Sequence, residues 1–124
     1  MSLVLIVEDN EKNLKLVRDV LQAKGYATLE AGTAEEGLQL ARMHHPGLIL
    51  MDIHLPGMNG IDALKALRAE GATAAIPVIA ITASVMKESV REVMAAGFNA
   101  FIEKPIDVRG FLDKVRGILG EGGK

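Results

Sequence analysis

The chain has 124 residues, with 14 Lys plus Arg against 16 Asp plus Glu, a formal net charge of −2. That length reads as one domain, and the near-neutral balance excludes a globally basic surface for neutralising nucleic-acid phosphates. Apolar residues at 49% and charged residues at 24% exclude disorder by composition, and a chain of this size buries roughly two thirds of its unfolded surface. No cysteine is present, which excludes disulfides and thiolate metal sites and fits a reducing compartment; a cytoplasmic location is expected. No apolar run reaches the roughly 20 residues that span a bilayer. The first apolar stretch stops at Glu8 without a basic leader, so neither membrane insertion nor a secretory signal is expected. Aromatic residues are 3% with no Trp, which argues against a base-stacking platform.

In chain order, Leu3–Val7 is a short, continuous apolar run, and a helical period follows from Glu11 to Lys24, with Leu14, Val17 and Leu21 on one face and Gly25 as the stop. Tyr26–Glu30 is a weaker strand with some alternation. Thr33 can cap a helix running to about His44, with Glu36 as its capping-box partner. Gly47–Met51 and Pro77–Ile81 are two further apolar runs that read as strands buried on both faces. Between them lies a helix over Ile61–Ala69, and after them one over Met86–Ala96, stopped by Gly97. Asn99–Ile102 is short enough to be an edge strand. A last helix runs from about Asp107, a plausible N-cap, to Leu119, with Phe111, Leu112, Val115, Ile118 and Leu119 on one face. The core spans about residues 3–119, and the Gly-rich tail 120–124 is expected to fray.

The order is (βα) repeated five times. It predicts an α/β fold, a flavodoxin-like doubly wound sandwich around a parallel five-stranded sheet of order 2-1-3-4-5. In such a sheet, ligands bind beyond the carboxyl ends of the strands. The first strand ends in Glu8-Asp9-Asn10, the third in Asp52, the fourth in Thr82 and the fifth in Glu103-Lys104-Pro105. One crevice would therefore gather Glu8, Asp9, Asp52, Thr82 and Lys104. Carboxylates crowded at one edge repel each other and call for a cation. Oxygen ligands with partial hydration suit Mg²⁺, or Mn²⁺ in its place. A Lys and a Thr hydroxyl opposite them would accommodate a phosphoryl group, and a carboxylate nucleophile would form an aspartyl phosphate.

These residues resemble the receiver domain of two-component response regulators over about Leu3 to Leu119. The matching motifs are Leu5-Ile6-Val7-Glu8-Asp9-Asn10, the run from Leu50-Met51-Asp52-Ile53-His54 to Gly60, then Ile81-Thr82-Ala83 and Lys104-Pro105. The resemblance implies that Asp52 accepts a phosphoryl group from a phosphohistidine on a sensor histidine kinase or a histidine phosphotransfer protein. Asp9 and Asp52 would ligate the metal directly, Glu8 partly through water, and His54 through its backbone carbonyl. Lys104 would contact the phosphoryl oxygens, aimed by a cis peptide bond to Pro105, a bond type essentially confined to X-Pro. Thr82 would swing towards the phosphoryl group, and Phe101 would turn inward as an aromatic switch. The side chains of His54 and Ser84 would tune hydrolysis. The switched face would be helix four, strand five and helix five, and its target a downstream protein effector. If 124 residues is the natural chain, no DNA-binding output domain accompanies it and no nucleic-acid contact is expected; the resemblance extends both to stand-alone receivers of the chemotaxis or cell-cycle type and to receivers attached to hybrid kinases. Receivers can be monomers or dimers, and the sequence leaves that open.

Two other classes are weighed against this one. An Asp-nucleophile phosphohydrolase of the haloacid-dehalogenase type would need a second Asp two places after the first, where this chain has His54. A phosphate-independent interaction module would have no use for Asp9, Asp52, Thr82 and Lys104 together. The chain is thus read as a phosphoacceptor that catalyses its own phosphorylation and dephosphorylation, not as an enzyme acting on external substrates. Adjacent His44 and His45 lack the i, i+4 spacing of a zinc pair and read as a helix end. The six Met residues read as packing. Gly57 and Gly60 read as loop and turn glycines, since neither a G-x-x-x-x-G-K-[ST] nor a G-x-G-x-x-G motif is present.

Overall fold

A computed structural model describes residues 3–55, 57–82 and 87–120. Five strands and five helices alternate: β1 (Leu3–Val7), α1 (Glu11–Ala23), β2 (Ala27–Ala31), α2 (Ala34–His44), β3 (Leu48–Asp52), α3 (Gly60–Ala69), β4 (Val78–Thr82), α4 (Lys87–Ala96), β5 (Ala100–Glu103) and α5 (Val108–Leu119). The sheet is parallel throughout, with order β2-β1-β3-β4-β5. The expected start of the fourth helix at Met86, the Ser84 position and the tail 121–124 lie outside the described residues.

Side-chain alternation divides the core into two layers. Leu5, Val7, Ile49, Met51, Val78 and Ala80 face α2, α3 and α4, packing with Leu38, Leu64, Leu67 and Val93. Val4, Ile6, Leu48, Leu50, Ile79 and Ile81 face the other way, onto Val17 and Leu21 of α1 and Phe111 and Val115 of α5. Both faces of β3 and β4 are covered, which is why their sequences are continuous apolar runs. The strands with exposed positions, β2 and β5, are the two edges.

The strand register is what assembles the carboxyl edge. Val7 pairs with Met51, so Glu8 emerges beside Asp52. Asp52 pairs with Ile81, which puts Thr82 one step beyond it, and Thr82 pairs with Glu103, which puts Lys104 next. Three main-chain bonds carry the sheet past its last paired residues, Glu8 N–H to Ala31 O (3.0 Å), Ile53 N–H to Ile81 O (3.0 Å) and Lys104 N–H to Thr82 O (2.7 Å). Strands three and four therefore run one residue further than their apolar stretches, through the polar residue that ends each. Backbone pairing is indifferent to side-chain polarity, so the ladder continues where the hydrophobic pattern stops.

Four of the helices, α1, α2, α3 and α5, begin on side-chain caps. Asn10 Oδ1 accepts from Lys12 and Asn13 N–H (3.0 and 3.1 Å), Asn59 Oδ1 from Asp62 N–H (2.9 Å), and Asp107 Oδ2 from Gly110 N–H (3.1 Å). Thr33 accepts from Glu36 N–H (3.1 Å), while Glu36 reaches back one residue past the cap, to Gly32 N–H (2.9 Å). Each such cap satisfies donors the helix leaves open and contributes about 1 kcal/mol. α2 ends at His44, and His45 takes a left-handed conformation at φ 47° as its C-cap, so the histidine pair is a helix terminus.

Arg68, in the last turn of α3, fastens the opposite end of the sheet. Its guanidinium donates to the carbonyls of Ala74 (3.0 Å), Ile76 (2.6 Å) and Gly97 (3.3 Å), and to Asn99 Oδ1 (3.0 Å). That same Oδ1 accepts from Val78 N–H at the start of β4 (2.9 Å). One planar donor fork thus ties α3 to the turns that enter β4 and β5. Arg68→Met keeps the stem but strands these acceptors, and is expected to lower unfolding free energy by about 1–3 kcal/mol. Urea denaturation should show a lower midpoint at unchanged m-value; an unchanged midpoint would show that the fork adds nothing.

Candidate functional site

At the carboxyl edge, Asp52 is buried at 3% exposure and Glu8 at 2%, both exceptional for carboxylates. Lys104 Nζ lies 3.0 Å from Asp52 Oδ2 and 3.0 Å from Glu8 Oε1. Asp52 Oδ1 accepts from the His54 N–H (2.9 Å), and Glu8 Oε2 accepts from the Asn10 N–H (3.1 Å). Both buried carboxylates are therefore fixed by a neighbouring main-chain donor on one oxygen and face the single ammonium with the other. Asp9, exposed, completes a group in which Glu8, Asp9 and Asp52 each offer an oxygen, all within 4.8 Å of one another.

The pair does not ionise evenly. Burial pushes the Glu8 carboxyl up to about 7, reinforced by its hydrogen bond to Asp52. Burial also works against ionised Asp52, but it is outweighed. The hydrogen bond from Glu8, the His54 N–H and Lys104 together hold Asp52 below its ordinary value. Lys104 is likewise disfavoured by burial, yet its hydrogen bond to Asp52 and its ion pair with Glu8 raise it above the ordinary lysine value. At neutral pH Asp52 is thus the anion, Lys104 the cation, and Glu8 the carboxyl on which a proton is readily gained or lost.

The remaining expected residues fall into place by element. Thr82 ends β4 and is buried at 4% exposure. The Lys104–Pro105 peptide is cis. The His54 side chain is exposed beside the site. Phe101 lies within β5, not at the edge; half-buried, it packs against the α2–α4 layer, with Lys114 Nζ 5.7 Å from its ring centroid. Three features were not read from the sequence. Asn10 serves both as cap of α1 and as donor to Glu8. Glu8 reaches Lys104 directly, because its longer arm spans the distance. Gly60 is the buried first residue of α3 and not a turn glycine; of the two, Gly57 has the positive φ, 76°.

A hard divalent cation fits this donor set. All its donors are oxygens, and Glu8 Oε1 is a buried atom without a hydrogen bond of good geometry despite its closeness to Lys104. The family comparison agrees with the geometry. Residues 4–116 match the model of the response regulator receiver domain. The chain belongs to that family. It is 46% identical over 118 residues to the polar-differentiation response regulator DivK of Brucella ovis, covering 95% of this chain and 96% of that one. Among solved structures, a putative response regulator from Chloroflexus aurantiacus superimposes with a TM-score of 0.91 at 28% identity, covering 96% of this chain and 98% of the other. The receiver domain of a Pseudomonas aeruginosa sensor histidine kinase, crystallised with a magnesium ion coordinated in its active-site cleft, gives 0.89 at 26% identity, covering 96% and 98%.

This receiver accordingly works in two-component phosphorelay signalling, as a phosphoacceptor rather than an enzyme with an external substrate. Receivers bind a divalent metal in their acidic pocket, and interact with histidine kinases and downstream effectors. No helix among the described residues is long and apolar enough to cross a membrane.

The raised Glu8 value sets a pH dependence. Below about 4.5 Glu8 is neutral in both folded and unfolded chains; between there and about 7 only the folded chain keeps its proton. The native state then binds more protons, so this group's contribution to stability falls as pH rises through that window. The metal-free protein should lose this contribution between about pH 4.5 and 7, and Glu8→Gln should flatten that loss. Melts in a chelator, compared across pH for the two proteins, read it directly; equal slopes would contradict the assignment.

Proposed function

We propose that this receiver takes a phosphoryl group from a phosphohistidine onto Asp52, with Mg²⁺ (or Mn²⁺) held by Asp9, Asp52, Glu8 and the His54 backbone carbonyl. The observation that carries the reading is the buried Asp52 carboxylate, held 3.0 Å from Lys104 with two further carboxylates beside it. When bound, the cation offsets negative charge that builds up on the phosphoryl oxygens.

The chain's own residues supply the rest. An Asp52 oxygen attacks phosphorus as the phosphorus–nitrogen bond of the donor imidazole breaks. The bonding pair returns to that nitrogen, and the product is an acyl phosphate. Asp52 enters the reaction ionised because Lys104 and the His54 N–H favour its anion. Lys104 then exchanges its Asp52 contact for a phosphoryl oxygen and offsets the charge that develops there. The same arrangement favours hydrolysis by an in-line water, so the receiver catalyses its own phosphorylation and dephosphorylation.

Phosphorylation adds about −1.5 to −2 charge. Thr82 and Lys104 follow that charge, and Phe101 turns inward from its half-buried place on β5. The outer face of α4, β5 and α5 then repacks, as a population shift biased by a local charge. The donor is a sensor histidine kinase or a histidine phosphotransfer protein, the output is contact with a downstream protein effector, and the setting is the cytoplasm. Similarity to DivK, a polar-differentiation response regulator, supports a role in polar differentiation.

Intact mass after incubation with a small phosphodonor tests the chemistry. One phosphoryl adduct is expected, requiring both Mg²⁺ and Asp52. An adduct that persists in Asp52→Asn, or forms equally well in a chelator, would refute the assignment.

A further inference from the structure

Gly60 opens α3 against the end of β3. A Cβ built on it would lie 2.7 Å from Asp52 O, 2.8 Å from Ile53 Cα and 3.2 Å from Met51 Cγ. The two closest atoms are main chain, and they belong to the phosphoacceptor and the residue after it. Gly60 N–H also donates to Ile53 O at 3.0 Å. Its φ lies outside the left-handed region occupied by Gly25, Gly57, Gly97 and Gly120. What glycine supplies here is therefore the absence of a side chain, not conformational freedom.

We infer that Gly60 is a positioning residue for the phosphoacceptor: its bare Cα lets α3 seat on the Asp52–Ile53 backbone and fixes the segment that carries the Asp52 carboxylate and the His54 main chain. The inference rests on the reading of Asp52 given above. Non-bonded carbon atoms settle about 3.5–4.0 Å apart, so a methyl group at residue 60 would force a displacement on the order of 0.5–1 Å. The surroundings decide where that displacement goes. β3 is the middle strand of the sheet, paired on both sides. α3 is anchored by buried Ala63, Leu64 and Leu67 and by the Arg68 fork. Neither moves cheaply, because close-packed elements transmit strain. The yielding part is the Ile53–His54 turn that leaves β3. That turn holds the His54 N–H on Asp52 Oδ1 at 2.9 Å, and through it the aim of the carboxylate at Lys104.

Gly37 provides a matched control. A Cβ there would lie equally close, 2.7 Å, but to Val7 Cγ2, a side-chain atom in the core. Gly37→Ala therefore imposes a similar packing insult on α2 without touching the Asp52 backbone.

The experiment compares wild type, Gly60→Ala and Gly37→Ala. Three readouts are taken: amide NMR spectra for folding, Mg²⁺ affinity from amide shifts, and the initial rate of phosphorylation by a small phosphodonor. Gly60→Ala is expected to keep a dispersed spectrum while Mg²⁺ affinity and phosphorylation rate each fall about tenfold or more, as a small misplacement of reacting groups allows. Gly37→Ala is expected to stay within about twofold of wild type on both, since its site backbone is untouched. The inference is overturned if Gly60→Ala also stays within that range, or if Gly37→Ala loses as much. Absence of phosphorylation in wild type would count against the Asp52 reading, while the Mg²⁺ comparison would still decide on Gly60.

A measurement on wild type decides the matter should Gly60→Ala not fold. If α3 seating and site geometry are one coupled unit, loading the site must tighten the seat in return. Hydrogen exchange at the Gly60 amide should then slow more than exchange in β2 when Mg²⁺ and beryllofluoride are added together. Equal slowing at both places would overturn the inference.

Discussion

One ammonium group facing two buried carboxylates is the constraint on which the structure turns. Lys104 sits 3.0 Å from both Glu8 and Asp52, and neither carboxylate could be buried as an anion without it. Three charges of this kind would be costly in an ordinary core. They are tolerated here because each carboxylate also accepts a main-chain N–H, and because one of the two can carry a proton. The arrangement stores an excess of negative charge that an incoming cation can relieve. A site adjusted by relief of charge, rather than by tight shape, suits a switch that must be set and reset.

Everything else places those three groups. The parallel sheet steps its carboxyl ends one residue at a time from β1 to β5, so residues far apart in sequence emerge along a single line. Buried apolar faces on both sides keep the sheet from moving, and the helix caps at Asn10 and Asn59 start α1 and α3 directly above the site. Arg68 performs the matching service at the far end. Rigidity in these places concentrates any response on the loops and on β5, the half-exposed edge strand that carries Phe101 and leads to Lys104.

Much of this was legible in the residues themselves. Continuous apolar runs marked the strands, and their alternation with helical periods specified the order β2-β1-β3-β4-β5. Knowing where strands end then brought Glu8, Asp9, Asp52, Thr82 and Lys104 to one edge. What stayed hidden depended on distances that a residue pattern does not encode. The direct contact of Glu8 with Lys104 follows from one extra methylene acting across a particular strand spacing. Gly60 looked like a turn residue because small loops with several glycines look alike; only the approach of the Asp52 carbonyl distinguishes it from Gly57.

The unequal protonation of Glu8 and Asp52 under a shared Lys104 is the claim on which this account rests. It is measured most directly by carboxyl carbon NMR, following both side chains through a pH titration of the metal-free protein. The account predicts that Glu8 titrates at about 7 and Asp52 below its ordinary range. A Glu8 carboxyl that titrates at the ordinary 4.5 with Asp52 raised instead would contradict it.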